Sequence, residues 1–282
     1  MASNELWRYL VPLAGAAWML VAAGCQSQGH KLPLADSTQT EAMTVTDAIA
    51  AGDCAALRRL LEGGASPNPE SPAAAPLVQA VAKGQLECAR ALLDAGADPD
   101  ASRADGSSAL QIAARANATE LVALLLSRKA RPELANSGGV AALAGAAGNG
   151  SRESVVLLLQ AGAPVDAASA RGWTAVHAAI AQGHTEIASL LLEAGADGGR
   201  ADVNGVTALM IAAAACPTCI DLLLARSVNI DATDRQGMTA LMVAAQNGQQ
   251  VAMRRLLDAG ADPSLKDQSG RTYLDWAAAQ TR

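Results

Sequence analysis

Residues 172–199, GWTAVHAAIAQGHTEIASLLLEAGADGG, contain the pattern that decides the fold. An Ala-rich apolar run and a second run ending in a Leu triplet are separated by a glycine. Thr174 precedes the first run, where its hydroxyl can accept hydrogen bonds from the free amides of a helix N-terminus. Gly195 follows the second run, at the place where a left-handed residue ends a helix. The stretch therefore predicts two short helices joined by a turn.

The same pattern recurs along the chain with a period of about 33 residues. The position of Gly195 recurs at steps of 32 or 33 residues, as Gly64, Gly96, Lys129, Gly162, Ser227 and Gly260. A second marker, which opens segments such as GVTALMIAA, keeps the same period at Gly106, Gly139, Gly172, Gly205, Gly237 and Gly270. A helix pair of this size leaves an apolar face exposed, so its stability must come from stacking on its neighbours.

These repeats resemble the ankyrin repeat over residues 43–282. The Thr-Pro-Leu-His motif of that family appears as Thr-Ala-Val-His at 174–177 and as Thr-Ala-Leu-Met at 207–210 and 239–242. The resemblance implies an all-α solenoid of seven helix-turn-helix repeats with hairpin loops. A half repeat follows, in which we expect Tyr273 and Trp276 to shield the open end.

The N-terminal segment predicts export. Arg8 is followed by an apolar run at 9–24 that is short for a membrane span of roughly 20 residues, and it fits a signal peptide over 1–24. The ending AAGC resembles a bacterial lipobox, which implies a lipid on Cys25 as the only membrane contact and a tether over 25–42. The same resemblance implies the outer membrane of a Gram-negative cell, facing the periplasm, because Gln26 and not Asp follows Cys25. The alternatives are an uncleaved anchor or a plain secretory signal, which would leave the protein soluble in the periplasm or secreted.

Composition and motifs argue against catalysis. A net charge of −6 and a pI near 5.1 make nucleic acid an improbable partner. Every glycine is explained by a turn, no Ser/His/Asp set stands out, and no cofactor or metal site is expected. His177 falls on the histidine position of the family, which implies a hydrogen bond within the hairpin. His184 and Glu186 match the common turn-and-helix sequence rather than a metal or acid–base pair.

The residues that differ between repeats predict a protein-binding surface. The residue after each marker glycine is expected to face solvent at the hairpin edge that ankyrin proteins use for binding. Trp173 beside Arg171 has the composition of an interface hot spot, although Trp173 could instead fold back onto its own hairpin. The neighbouring helix ends are small and nearly uncharged, which suits a protein or peptide partner. The predicted binding residues are Val140, Arg171, Trp173, Val206, Met238 and Arg271.

The CxxC at Cys216 and Cys219 has three interpretations. A spacing of three residues across a helix start allows a local disulfide, and an exported protein would favour it. Free core-type thiols and a redox or catalytic pair are the alternatives. Cys54 and Cys88 lie in neighbouring repeats, and the sequence leaves their pairing open.

The sequence thus predicts a monomeric, non-enzymatic, protein-binding lipoprotein that acts as a scaffold or regulator of a periplasmic protein. One alternative is an immunity protein that binds and neutralises a toxic effector acting in the periplasm. A redox role for Cys216 and Cys219 is the third hypothesis.

Overall fold

The computed structural model describes residues 43–68 and 75–279. The predicted signal peptide over 1–24, the lipidation site Cys25 and the tether over 25–42 lie outside the described residues.

The described residues form fifteen helices and no strand, which confirms the all-α ankyrin solenoid. The first helices of the seven repeats are α1 (Val45–Ala51), α3 (Pro76–Ala82), α5 (Ala109–Arg115), α7 (Ala142–Gly148), α9 (Ala175–Ala181), α11 (Ala208–Ala215) and α13 (Ala240–Gln246). The second helices are α2 (Cys54–Glu62), α4 (Leu86–Asp94), α6 (Thr119–Ser127), α8 (Arg152–Gln160), α10 (Thr185–Glu193), α12 (Pro217–Leu224) and α14 (Gln250–Asp258). The half repeat supplies α15 (Tyr273–Ala279). In this part of the chain, no helix has the length and apolar character needed to cross a membrane.

The helices begin and end where the sequence predicts. The Thr207 and Thr239 hydroxyls each accept from the backbone N–H three residues on, at 3.3 Å. The second helices are followed by a left-handed residue, such as Gly195 with φ of 94°. Lys129 and Ser227 keep this conformation without being glycine, with φ of 66° and 56°. The turn is therefore imposed by the repeat, at a cost of about 1–2 kcal/mol for each non-glycine residue.

The core is a continuous row of alanine and leucine side chains. At one position of the repeat, every first helix has an alanine with no exposed surface: Ala48, Ala80, Ala113, Ala146, Ala179, Ala212 and Ala244. Each second helix contributes one leucine with none: Leu57, Leu92, Leu125, Leu158, Leu191, Leu223 and Leu256. The small alanines let the first helices lie close together, and the leucines fill the space behind them.

From Asp105 to Gln268, a ladder of backbone hydrogen bonds joins each hairpin to the next. The N–H of Val203 donates to the Arg171 carbonyl at 3.0 Å, and the N–H of Arg235 donates to the Asn204 carbonyl at 2.8 Å. The marker glycines allow this approach. Gly205 has φ of 83°, and a Cβ there would lie 2.9 Å from the Asp234 Cα of the next hairpin. The marker position therefore needs glycine both for its backbone angle and for space.

Candidate functional site

Three consecutive hairpin tips form the candidate binding surface, which we call the tip patch and define as Arg171, Trp173, Val203, Val206 and Arg235. The ladder bonds join these tips directly, from Arg171 to Val203 and from Asn204 to Arg235. A contact surface built on hydrogen-bonded loops is ordered before binding, which lowers the entropic cost of association.

Trp173 is held from two sides. Its ring stacks on His177 with 6.0 Å between centroids. Its Nε1–H donates to Asp202 Oδ2 of the next hairpin at 3.3 Å. The side chain is half-buried. The ring therefore packs on its own hairpin and still leaves some of its surface at the hairpin edge, and its role as an interface hot spot stays a prediction.

Val203 supplies the exposed apolar surface of the tip patch. It is 46% exposed, and the other exposed large apolar residues in the described part of the chain (Met43, Val251 and Leu274) lie away from the hairpin tips. Val203 is not among the residues predicted from the sequence, because those come from the position after each marker glycine. The signal lay two residues before that glycine, in the column Ala104, Ser137, Ala170, Val203, Arg235 and Gln268.

Arg171 and Arg235 frame Val203 with exposed positive charge. Within residues 43–68 and 75–279, neither guanidinium has an ion pair or hydrogen bond. Several arginines elsewhere differ in this respect, because they pair with carboxylates of the neighbouring repeat. These pairs are Arg58–Glu87, Arg128–Asp94, Arg131–Asp100 and Arg255–Asp221.

The column after the marker glycines does not face solvent throughout, which corrects one expectation. Met238 is only 6% exposed, because its long apolar side chain belongs to the core cluster. Val140 and Val206 are half-buried. The Arg271 guanidinium is engaged, since it pairs with Asp267 Oδ2 at 2.9 Å and lies 3.7 Å from the centre of the Trp276 ring. Met238 and Arg271 are therefore placed in the core and the C-terminal cap, respectively, and not in the tip patch.

Carboxylates at the base of the C-terminal hairpins fix the tip conformation. The Oδ1 atoms of Asp202, Asp234 and Asp267 each accept two backbone N–H groups, at 2.7–2.9 Å. Asn136 accepts the same two bonds in an earlier hairpin, so the loop needs the oxygen and not the charge. Burial raises the pKa of Asp234. Burial opposes ionisation of Asp267 as well, but the N–H groups of Arg271 and Ser269 and the Arg271 guanidinium lower its pKa.

His177 has the structural role that the family resemblance implies. It is 1% exposed, and its Nδ1 accepts from the Thr174 backbone N–H at 3.3 Å. Burial lowers the pKa of His177, so the ring is neutral at pH 7. Gln111 takes the equivalent place in the third repeat, where its Nε2 donates to the Leu134 and Val140 carbonyls of the next hairpin.

Two disulfides lie within the described residues. Cys216 and Cys219 are bonded with 5.3 Å between Cα atoms, and both are buried, with 4% and 0% of their surfaces exposed. Cys54 and Cys88 are also bonded, with Cα atoms 4.9 Å apart, and join α2 to α4 of the next repeat. The sequence left open whether these two cysteines pair. Their separation of 34 residues, one repeat period plus one residue, is the feature of the sequence that favours the bond. Among the described residues, no group of three or more His, Cys, Asp or Glu side chains is placed to hold a metal ion.

Comparison with known proteins agrees with this architecture. A family model described as ankyrin repeats (3 copies) matches residues 45–136, 143–234 and 216–282. The crystal structure of the human ASB11 ankyrin repeat domain superimposes with a TM-score of 0.65 at 25% identity, covering 72% of this chain and 91% of that one. The Neurogenic locus Notch protein of Drosophila melanogaster is 47% identical over 58 residues. That match spans 20% of this chain and 2% of the Notch protein.

Proposed function

The chain belongs to the ankyrin-repeat family, and we propose that it is a non-enzymatic binding protein of the bacterial envelope that holds or regulates another protein through the tip patch. Membership of the family indicates a scaffold for protein–protein interaction. The class of partner, the cellular compartment and the use of the tip patch as the binding surface are our proposal.

The observation that carries the proposal is the composition of the tip patch. Trp and Arg are the residues most enriched at interface hot spots, where a desolvated anchor is surrounded by contacts that exclude water. Here Trp173 is the anchor, Val203 extends its apolar surface, and Arg171 and Arg235 lie at the rim. The half-buried ring is already held by His177 and Asp202, so little side-chain entropy is lost on binding.

The envelope location is supported by two independent features. The N-terminal sequence resembles a lipoprotein export signal ending at Cys25. The two disulfides fit an oxidising compartment, since structural disulfides are rare in the cytosol. The burial of Cys216 and Cys219 argues against the redox hypothesis, because thiol–disulfide exchange requires access to a sulfur atom.

Site-specific photo-crosslinking in the cells that encode the protein tests the proposal. A photoreactive residue at Val203 should give one discrete adduct, whereas the same residue at Ala123, an exposed position on α6, should not. Trp173→Ala should strongly reduce the Val203 adduct, by about tenfold or more if the ring is a hot spot worth 1.4 kcal/mol or more. An adduct of equal yield from Ala123, or one that survives Trp173→Ala, would place the binding surface elsewhere.

The same adduct separates scaffold from immunity protein. The captured protein should retain its own activity when bound if the chain is a scaffold. Complete loss of that activity at equimolar chain would favour the immunity alternative.

A further inference from the structure

Charge is distributed unevenly on this chain. We define the inner surface as the hairpin tips, from two residues before each marker glycine to one residue after it, together with the last turn of each first helix and the residue that follows it. Among the described residues, this surface carries five basic side chains and one acidic one. The basic residues are Lys83, Arg115, Arg171, Arg235 and Arg271, and the acidic residue is Asp105. The whole chain has a net charge of −6, so the basic character of this surface is opposite to that of the rest of the protein.

Three of these cations have neither an ion-pair partner nor a side-chain hydrogen bond among the described residues. Arg271 is neutralised by Asp267, and the Lys83 ammonium donates to the Ala50 carbonyl at 3.0 Å. Arg115, Arg171 and Arg235 are exposed, and in the part of the chain that the structure describes their guanidinium groups form no ion pair. Two of them belong to the tip patch.

The carboxylates below the tip patch already accept hydrogen bonds from the hairpins themselves. Asp202 accepts the N–H groups of Asn204 and Val206 and the indole N–H of Trp173. Asp234 accepts two backbone N–H groups of its own loop. These bonds fix the loops, so neither Arg171 nor Arg235 is recruited by a carboxylate of its own or a neighbouring hairpin.

We infer that the tip patch recognises an acidic segment of its protein partner, in which two carboxylates lie on either side of an apolar side chain. The carboxylates accept paired hydrogen bonds from Arg171 and Arg235, in the forked geometry that a planar guanidinium favours. The apolar side chain lies against Val203 and Trp173. This inference rests on the proposed function and adds the chemistry of the partner to it.

A protein carboxylate is favoured over nucleic acid as the source of the negative charge. Binding to a nucleic acid backbone depends on many phosphate contacts, whereas the tip patch offers two guanidinium groups on a chain of net charge −6. The exposed Val203 also has no use in contacting a phosphate backbone.

Selection from a displayed library of random peptides tests the inference without knowledge of the partner. The full chain is immobilised as wild type, as the double variant Arg171→Glu/Arg235→Glu, and as the control Arg59→Glu/Arg254→Glu. The control makes the same charge change at exposed arginines of α2 and α14 that have no ion pair among the described residues. Circular dichroism of the three proteins confirms equal helix content.

Peptides enriched on the wild type should contain two acidic residues flanking an apolar one, and the control should retain them. Their affinity for the double variant should fall at least about tenfold, and for the wild type it should weaken with added salt. Enriched peptides that are neutral or basic, no peptide that depends on the two arginines, or equal affinity of the double variant would overturn the inference. A labelled single-stranded oligonucleotide that binds the wild type more tightly than the selected peptides would also overturn it.

Different results would refute the acidic partner and the proposed function. Neutral peptides lost on Trp173→Ala would leave protein binding at the tip patch intact and remove only the acidic partner. Crosslinking at Ala123 in place of Val203 would remove both.

Discussion

Gly205→Ala tests whether the close approach of the hairpins holds the solenoid together. Alanine at φ of 83° costs about 1–2 kcal/mol on backbone grounds. Its Cβ would also lie 2.9 Å from the Asp234 Cα, a contact that requires the next hairpin to move. Overpacking of this kind costs about 1–3 kcal/mol. We therefore expect Gly205→Ala to lower the free energy of unfolding by about 2–5 kcal/mol.

Gly162→Ala is a matched control, because Gly162 has the same φ of 83° and no atom within 4 Å of the added Cβ. It should lose only the backbone contribution. Urea unfolding followed by circular dichroism gives the two midpoints, and hydrogen exchange of the Arg235 amide reports the ladder bond to Asn204 directly. Equal midpoints for the two variants, with unchanged protection at Arg235, would show that hairpin contact adds nothing to stability.

Three further predictions concern the two disulfides, His177 and the hairpin carboxylates Asp234 and Asp267. Cys54→Ser should lower the free energy of unfolding by about 4 kcal/mol and Cys216→Ser by about 2 kcal/mol on the chain-entropy relation, because the first bond closes a loop of 34 residues and the second a loop of 3. Unfolding midpoints measured under oxidising conditions should show the larger loss for Cys54→Ser. The wild type should lose stability as the pH falls below about 6.5, since burial lowers the native pKa of His177 and the unfolded chain takes up the proton first. His177→Gln should abolish this loss. Unfolding midpoints that fall equally in wild type and variant between about pH 7.5 and about pH 5 would contradict the prediction. Asp234→Asn should not lower the unfolding midpoint at pH 7, because burial disfavours the charge of Asp234. Asp267→Asn should lower the midpoint, because the charge of Asp267 is paired with Arg271. A larger loss for Asp234→Asn than for Asp267→Asn would refute both pKa directions.

The fold could be predicted from the sequence because the signals that start and end its helices are local. Threonines at helix N-termini and glycines in left-handed turns recur at a fixed period, and each depends on only a few neighbouring residues. Lys129 and Ser227 show how far the period dominates, since both adopt the left-handed conformation that the glycine column predicts. Cys219 likewise takes the buried position that Ile187 holds in the preceding repeat.

The surface was harder to predict because exposure depends on what the next repeat covers. Val206 and Met238 share one position of the repeat, yet the first is half-buried and the second belongs to the core. Val203 and Arg235 share another position, and their exposure emerged only from the stacking of the hairpins. The separation of 34 residues places Cys54 and Cys88 at nearly the same position of consecutive repeats, but only the packing of α2 against α4 shows that their sulfur atoms meet.

Hydrogen exchange of the full chain, alone and with the protein captured at Val203, locates the binding surface on the solenoid. We expect slower exchange in peptides covering 171–173, 203–206 and 235–237, with α10 and α12 unchanged. Protection confined to α10 and α12, with the three hairpin tips exchanging as in the free chain, would contradict it.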